Sequence, residues 1–233
     1  MADQEDEIIL SELDDEELVQ QMFDDLYDGL KEEIEEAVHI LLERKWEPYR
    51  ILTEALAKAG AIATGIDLAE VPLKVAAQHA ESQQLTIDYR YEDITTTLEN
   101  NAGQFDVITC LEMLEHVPDP SKIIEHCMNL LKPGGQLIVS TINRNLKAYL
   151  AAIIAAEYIL RIVPIGTHSY KKLIRPKELV QWAENCSLKL ENWASFIYNP
   201  IKKSFKTKYN HWDINYIAHF SKPMSKQEQS PEK

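Results

Sequence analysis

Glycine is scarce in this chain. Its 233 residues include seven, where roughly 7% is usual, and no two of them stand in a G-x-G arrangement. A glycine-rich loop that lets the backbone approach a cofactor is therefore not written here. Cysteine is sparse too. Cys110, Cys127 and Cys186 make an odd count without C-x-x-C spacing, which leaves a disulfide framework and a zinc ribbon unsupported. No run of about 18 uncharged apolar residues exists to span a bilayer. Met1 to Glu7 is acidic and has no apolar stretch, unlike a secretory signal. The expectation is a soluble protein of a reducing, cytoplasmic compartment. Basic charge is missing from one end of the chain. Residues 1–50 carry 18 Asp/Glu and four Lys/Arg, a net of −14, and the remainder is neutral. Such acidity repels phosphate, so no nucleic acid is expected as a partner.

What is present is core material: 45% of the residues are hydrophobic. The first third reads as helix. Ser11 and Asp14 form a Ser-x-x-Asp capping-box variant. Leu13, Leu18, Val19, Met22, Leu26 and Leu30 recur at helical spacing among acids. Pro48 suits the first turn of a further helix running to about Ala59. The texture changes at Gly60. Strands are expected over Ala61 to Asp67, Leu85 to Tyr91, Phe105 to Cys110 and Gln136 to Thr141. Helices are expected over 72–81 and 119–131, with a turn at Lys132 to Gly135. This alternation argues for a parallel, doubly wound α/β sheet. Leu188 to Tyr198 and Asn215 to Phe220 look like an antiparallel pair. Ser221 to Lys233 is a polar, mobile tail.

Three features could carry chemistry. Asp67 closes a strand; there it either accepts the hydroxyls of a ribose in the ligand crevice or caps the next helix. Glu112, Glu115 and His116 follow the strand at 105–110 with helical spacing i, i+3 and i+4. On one helix face they would hold a divalent cation or deprotonate a hydroxyl; alternatively they are a solvated helix start. Residues 146–163 are almost wholly apolar, and Lys147, Glu157 and Arg161 fall within about 80° of one another on a helix. Lys171, Lys172, Arg175 and Lys177 follow. That pattern suits an interfacial helix on an anionic membrane or a buried core helix.

These residues carry a resemblance. From about Ile51 to Lys222 the chain resembles the ubiquinone-biosynthesis O-methyltransferases, class I S-adenosylmethionine-dependent enzymes. The matching stretches are AIATGIDLAE (61–70), DVITCLEMLEHVPDP (106–120), KPGGQLIVSTINR (132–144), AEYILRIV (156–163) and Gly166-Thr167-His168. The resemblance implies a Rossmann-like sheet and S-adenosylmethionine as cofactor. It implies that Asp67 binds the ribose hydroxyls and that Leu111 lines the adenine and methionine pocket. It also implies that Glu112, Glu115 and His116 hold a divalent metal such as magnesium, with His116 the candidate base. The implied substrate is a polyprenylated catechol or hydroxyphenol. Segment 146–177 then faces the membrane, and the protein lies peripherally on the inner membrane.

The family's first strand and its D-x-G-C-G-x-G loop have no counterpart in the sequence. The expected fold is thus α/β, a Rossmann-like class I methyltransferase sheet lacking its first strand, preceded by a small acidic helical segment. Residues 1–50 form that segment, 51–222 the methyltransferase-like domain and 223–233 the tail. Residues 7–56 resemble instead the helical cap of corrinoid-binding methyltransferase subunits. The D-x-H-x-x-G motif that holds the corrinoid is absent, so no corrinoid is expected. Two functional expectations follow: an O-methyltransferase weakened by the loss of its loop, or an inactive methyltransferase-like fusion serving as an interaction module.

Overall fold

The computed structural model describes residues 9–15, 17–19, 21, 36–37, 40, 57, 60–150, 166, 169–199 and 204–224. The chain divides into two compact units, Met1–Asp93 and Ile94–Lys233.

In the first unit a short 3-10 turn, Leu10–Glu12, precedes helical residues. The helix is capped by Asp14 rather than Ser11. Asp14 Oδ1 accepts the Glu17 N–H at 2.9 Å, and Glu17 Oε2 accepts the Asp14 N–H at 3.2 Å. This reciprocal box satisfies two donors that a helix start leaves open, and it displaces the expected cap by three residues. Leu18 and Val19, both from the apolar periodicity, are buried. Most of the remaining acidic segment lies outside the described residues.

Strand β1 (Ala63–Asp67) leads into helix α1 (Glu70–Ser82) and strand β2 (Ile87–Tyr91). The two strands are parallel, with Gly65 opposite Tyr89 and Asp67 opposite Tyr91. This is one βαβ unit, with Leu73, Ala76 and Ala80 forming the buried stripe of its helix.

The second unit begins with α2 (Ile94–Asn101), followed by β3 (Phe105–Leu111), α3 (Pro120–Leu130) and β4 (Leu131–Ile142). Asp119 caps α3 by accepting the Lys122 N–H, and Pro120 opens the helix where its missing N–H costs nothing. Then come α4 (Pro176–Asn185), β5 (Lys189–Asn199), β6 (Ser204–Tyr209) and β7 (Asn215–Ser221). The sheet order is β3-β4-β7-β5-β6. β3 and β4 are parallel, and β7 inserts antiparallel between β4 and β5. The expected antiparallel pair is therefore present, as β5 and β7. The core joins Leu114, Ile124, Cys127, Leu137 and Val139 to Leu179, Tyr216 and Phe220. Helices α2 and α4 and strand β6 are additions to the sequence reading. β4 begins at Leu131, so the expected turn at Lys132–Gly135 lies within the strand, and Gly134 bends it at φ +78°.

The strands thus fall into a parallel pair and a five-stranded sheet, and among the described residues no strand precedes β1. The architecture is mixed α/β and Rossmann-like.

Candidate active site

In a doubly wound fold, ligands meet the carboxyl ends of the strands. In the first unit that position belongs to Asp67. It ends β1, is exposed, and accepts the Ala69 N–H on Oδ1 at 2.8 Å. One oxygen tethers the turn into α1 without capping the helix itself, whose N-cap is Ala69, and the residue sits exposed at the strand end.

In the second unit the corresponding ends are those of β3 and β4. Leu111, half-buried, is the last residue of β3 and pairs with Ser140. Glu112 follows with φ +49°, a left-handed conformation that costs a side-chain-bearing residue energy. Ser140 holds it there. The Glu112 N–H donates to the Ser140 carbonyl at 3.0 Å and to its hydroxyl at 3.1 Å. The same hydroxyl donates to Glu112 Oε1 at 2.6 Å. A single 3-10 turn, Leu114–His116, comes next and buries Glu115. Thr141 Oγ1 donates to Glu115 Oε2 at 2.6 Å. Glu115 Oε1 is buried without a hydrogen-bond partner.

The two carboxyls meet. Although Glu112 is exposed as a residue, its carboxyl turns inward against Ser140 and Glu115. That burial pushes it up to about 7, with the Glu115 charge adding to the rise and the Ser140 hydroxyl opposing it. A carboxyl near neutrality at a strand end is a competent proton acceptor.

His116 is not part of this pair. The expected helix over 112–116 does not form, because a left-handed residue and a 3-10 turn replace it. In a turn of three residues, neighbours 115 and 116 project about 120° apart, so Glu115 turns inward while His116 is exposed. Among the described residues, no group of three or more His, Cys, Asp or Glu side chains is arranged to hold a metal ion. The described residues thus do not gather Glu112, Glu115 and His116 as one metal-holding group: the two carboxyls meet, and His116 is exposed.

β4 supplies what the sequence reading overlooked. Ser140 and Thr141 lie inside the quoted VSTINR stretch, and their only signal was two adjacent hydroxyls at a strand's carboxyl end. Beyond them, Asn143 and Asn145 both donate side-chain N–H groups to the Asp213 carbonyl, at 2.8 and 3.0 Å. Lys147 reaches the Asp213 carboxylate at 3.2 Å. These contacts tie the strand end to the loop before β7.

The apolar segment at 146–163 lies outside the described residues from 151 onward. Its start is a helical turn, Leu146–Ala148. Leu146, Tyr149 and Leu150 are exposed, and Tyr149 meets Tyr170 edge-on at 5.5 Å. Among the described residues, no helix is long and apolar enough to cross a membrane.

Residues 50–139 match the methyltransferase domain family model. The chain is 50% identical over 171 residues to a ubiquinone biosynthesis O-methyltransferase of Coxiella burnetii, covering 73% of this chain and 72% of that protein. It is 49% identical over 176 residues to the protein of that name from Saccharophagus degradans, covering 74% and 73%. The chain belongs to the ubiquinone biosynthesis O-methyltransferase family.

Solved structures agree on the fold. A SAM-dependent methyltransferase from Methanosarcina mazei matches with a TM-score of 0.52 at 20% identity, covering 73% of this chain and 86% of that one. A [4+2]-cyclase matches with a TM-score of 0.51 at 16% identity, covering 73% and 70%. The second case shows how far the fold alone carries: one Rossmann-like frame hosts unrelated reactions.

Proposed function

We propose that the protein transfers a methyl group from S-adenosylmethionine to a phenolic oxygen of a polyprenylated catechol or hydroxyphenol in ubiquinone biosynthesis. The observation that carries this reading is 50% identity over 72% of the length of a relative bearing that name. In the proposal, Asp67 accepts the ribose hydroxyls and Leu111 lines the adenine and methionine pocket. Glu112, raised toward neutrality, takes the phenolic proton in preference to the exposed His116. The acceptor oxygen then attacks the methyl carbon, and the sulfonium leaves as a neutral thioether. Holding oxygen, methyl and sulfur in line supplies most of the rate gain. No step is drawn through a divalent cation, because the described carboxyls and His116 do not converge as a three-ligand set. Exposed Leu146, Tyr149, Leu150 and Tyr170, beside Lys171 and Lys172, support a peripheral membrane contact that delivers a lipid-tailed substrate. Failure to float with anionic liposomes would count against that part.

The absence of any G-x-G arrangement favours a second reading, an inactive member whose acidic segment serves protein contacts. Isothermal titration with S-adenosylmethionine separates the two. Micromolar binding that disappears in Asp67→Ala supports the enzyme. No heat up to millimolar cofactor, with no transfer of labelled methyl to a prenylated catechol, overturns it.

A further inference from the structure

Two adjacent hydroxyls on β4 grip the two carboxyls that follow β3. Ser140 contacts Glu112 at both its N–H and its Oε1, and Thr141 contacts Glu115 at Oε2. Each grip spans more than two dozen residues of sequence, and both bonds to carboxylate oxygen measure 2.6 Å. That is the short, charge-assisted range for a hydroxyl donor.

The grip has a consequence for each carboxyl. Glu112 stands in a left-handed conformation that its own side chain disfavours, so something must hold it; Ser140 is the group bonded to it at two points. Glu115 is 3% exposed. Thr141 engages one of its oxygens, and the other has no hydrogen-bond partner. A buried carboxyl oxygen left open is costly unless something at the site completes it. The arrangement engages one oxygen of each carboxyl through a strand hydroxyl and sets the two carboxyls against each other, so a shift of either hydroxyl is felt by both.

We propose that Ser140 and Thr141 are positioning residues for methyl transfer, acting through Glu112 and Glu115. This rests on the function proposed above. Because both sit on a central strand, they place the carboxyls more rigidly than a loop would, and a displacement of about 1 Å at such a group can cost on the order of 100-fold in rate.

The test compares Ser140→Ala, Thr141→Val and Thr141→Ser in the full chain, with S-adenosylmethionine and a prenylated catechol. Thr141→Val keeps shape and removes the hydroxyl, whereas Thr141→Ser restores it. The expected result is a fall in kcat of roughly 10- to 100-fold in Ser140→Ala and Thr141→Val. KM for S-adenosylmethionine stays within about twofold, and Thr141→Ser recovers most of kcat. Equal kcat in all three variants and the parent overturns the positioning role while leaving the proposed function intact. Equal losses in Thr141→Val and Thr141→Ser also overturn it, since packing rather than the hydroxyl would then matter. An inactive parent chain overturns the function itself. Melting temperatures of each variant separate misfolding from misplacement; if Ser140→Ala does not fold, the Thr141 pair decides.

Discussion

Arg144 Nη2 donates to both carboxylate oxygens of Glu178, joining the residue just past β4 to the first turn of α4. Glu178 also accepts the Arg175 N–H at 2.9 Å, so one carboxylate closes an ion pair and caps a helix. Burial alone would raise its carboxyl. The Arg175 N–H and the Arg144 guanidinium outweigh that and hold it below the usual carboxylate range. A depressed value contributes stability that is present above the unfolded-state pKa, near 4.3, and is lost as pH falls through the folded value. Glu178→Gln should therefore cost about 1–2 kcal/mol at pH 7. The gap between variant and parent should close in acid. Urea midpoints at pH 7 and at about pH 2.5 check this, and an equal gap at both contradicts it.

Glu112 should behave in the opposite sense. Its carboxyl is raised in the fold, so between the unfolded value near 4.3 and about 7 the folded chain binds the extra proton. Stability from this group is present in acid and declines as pH rises through that window. Glu112→Gln should flatten the decline. Melting temperatures from pH 4.5 to 7.5 read it out, and a slope identical to that of the parent rejects the shift.

The sheet was legible where composition and local punctuation agree. Phe105 to Cys110 is apolar enough to read as a strand, which the fold extends by one residue to Leu111, and Asp119-Pro120 announces the start of α3. Asp67 was found at its strand end for the same reason: an acid closes a short apolar run. α2 escaped because Ile94-Thr95-Thr96-Thr97 is β-branched and disfavours helix. β6 escaped because Lys206 and Lys208 break an apolar pattern. The acid pair was half legible. Spacing brought Glu112 and Glu115 together, but the left-handed turn that separates His116 is bonded to Ser140, 28 residues further on. No local pattern reports a partner at that distance. Asp14 took the cap from Ser11 because Glu17 completes a reciprocal box only with Asp14.

Glycine is favoured at the Gly134 bend of β4 for a reason the sequence only hinted at. Its φ of +78° lies in the left-handed region, its N–H donates to the Lys222 carbonyl at 2.9 Å, and an added Cβ would lie 2.6 Å from Met224 Sδ. The Met224 side chain can move, but the backbone cannot without giving up that bond. Gly134→Ala should cost about 1–2 kcal/mol from the conformation alone. Gly103→Ala, at φ +67° with open space around its Cβ position, should lose a similar amount. Comparable losses in the two variants confirm that backbone conformation sets the cost. A much larger loss at Gly134 assigns the excess to Met224.

Among the described residues Tyr216 is the largest fully buried side chain, and its hydroxyl donates to the Ile174 carbonyl at 3.1 Å. Burial raises its phenol, and the nearby Glu115, Glu178 and Glu112 charges add to the rise, so the hydroxyl keeps its proton and acts as a donor throughout the working range. Trp212 stands edge-on to its ring at 5.1 Å and stacks on Trp193. The ring therefore packs the core while its tip anchors the chain entering α4, whose Ile174 N–H in turn donates to Ile142 at the end of β4. Tyr216→Phe preserves the packing and strands one carbonyl, which should cost about 1–2 kcal/mol. Tyr216→Ala removes the ring as well and should cost about 3–5 kcal/mol. Denaturant unfolding of the pair separates tip from ring. If Tyr216→Phe matches the parent, the Ile174 bond contributes nothing, and the packing of the ring accounts for the whole of the Tyr216 contribution.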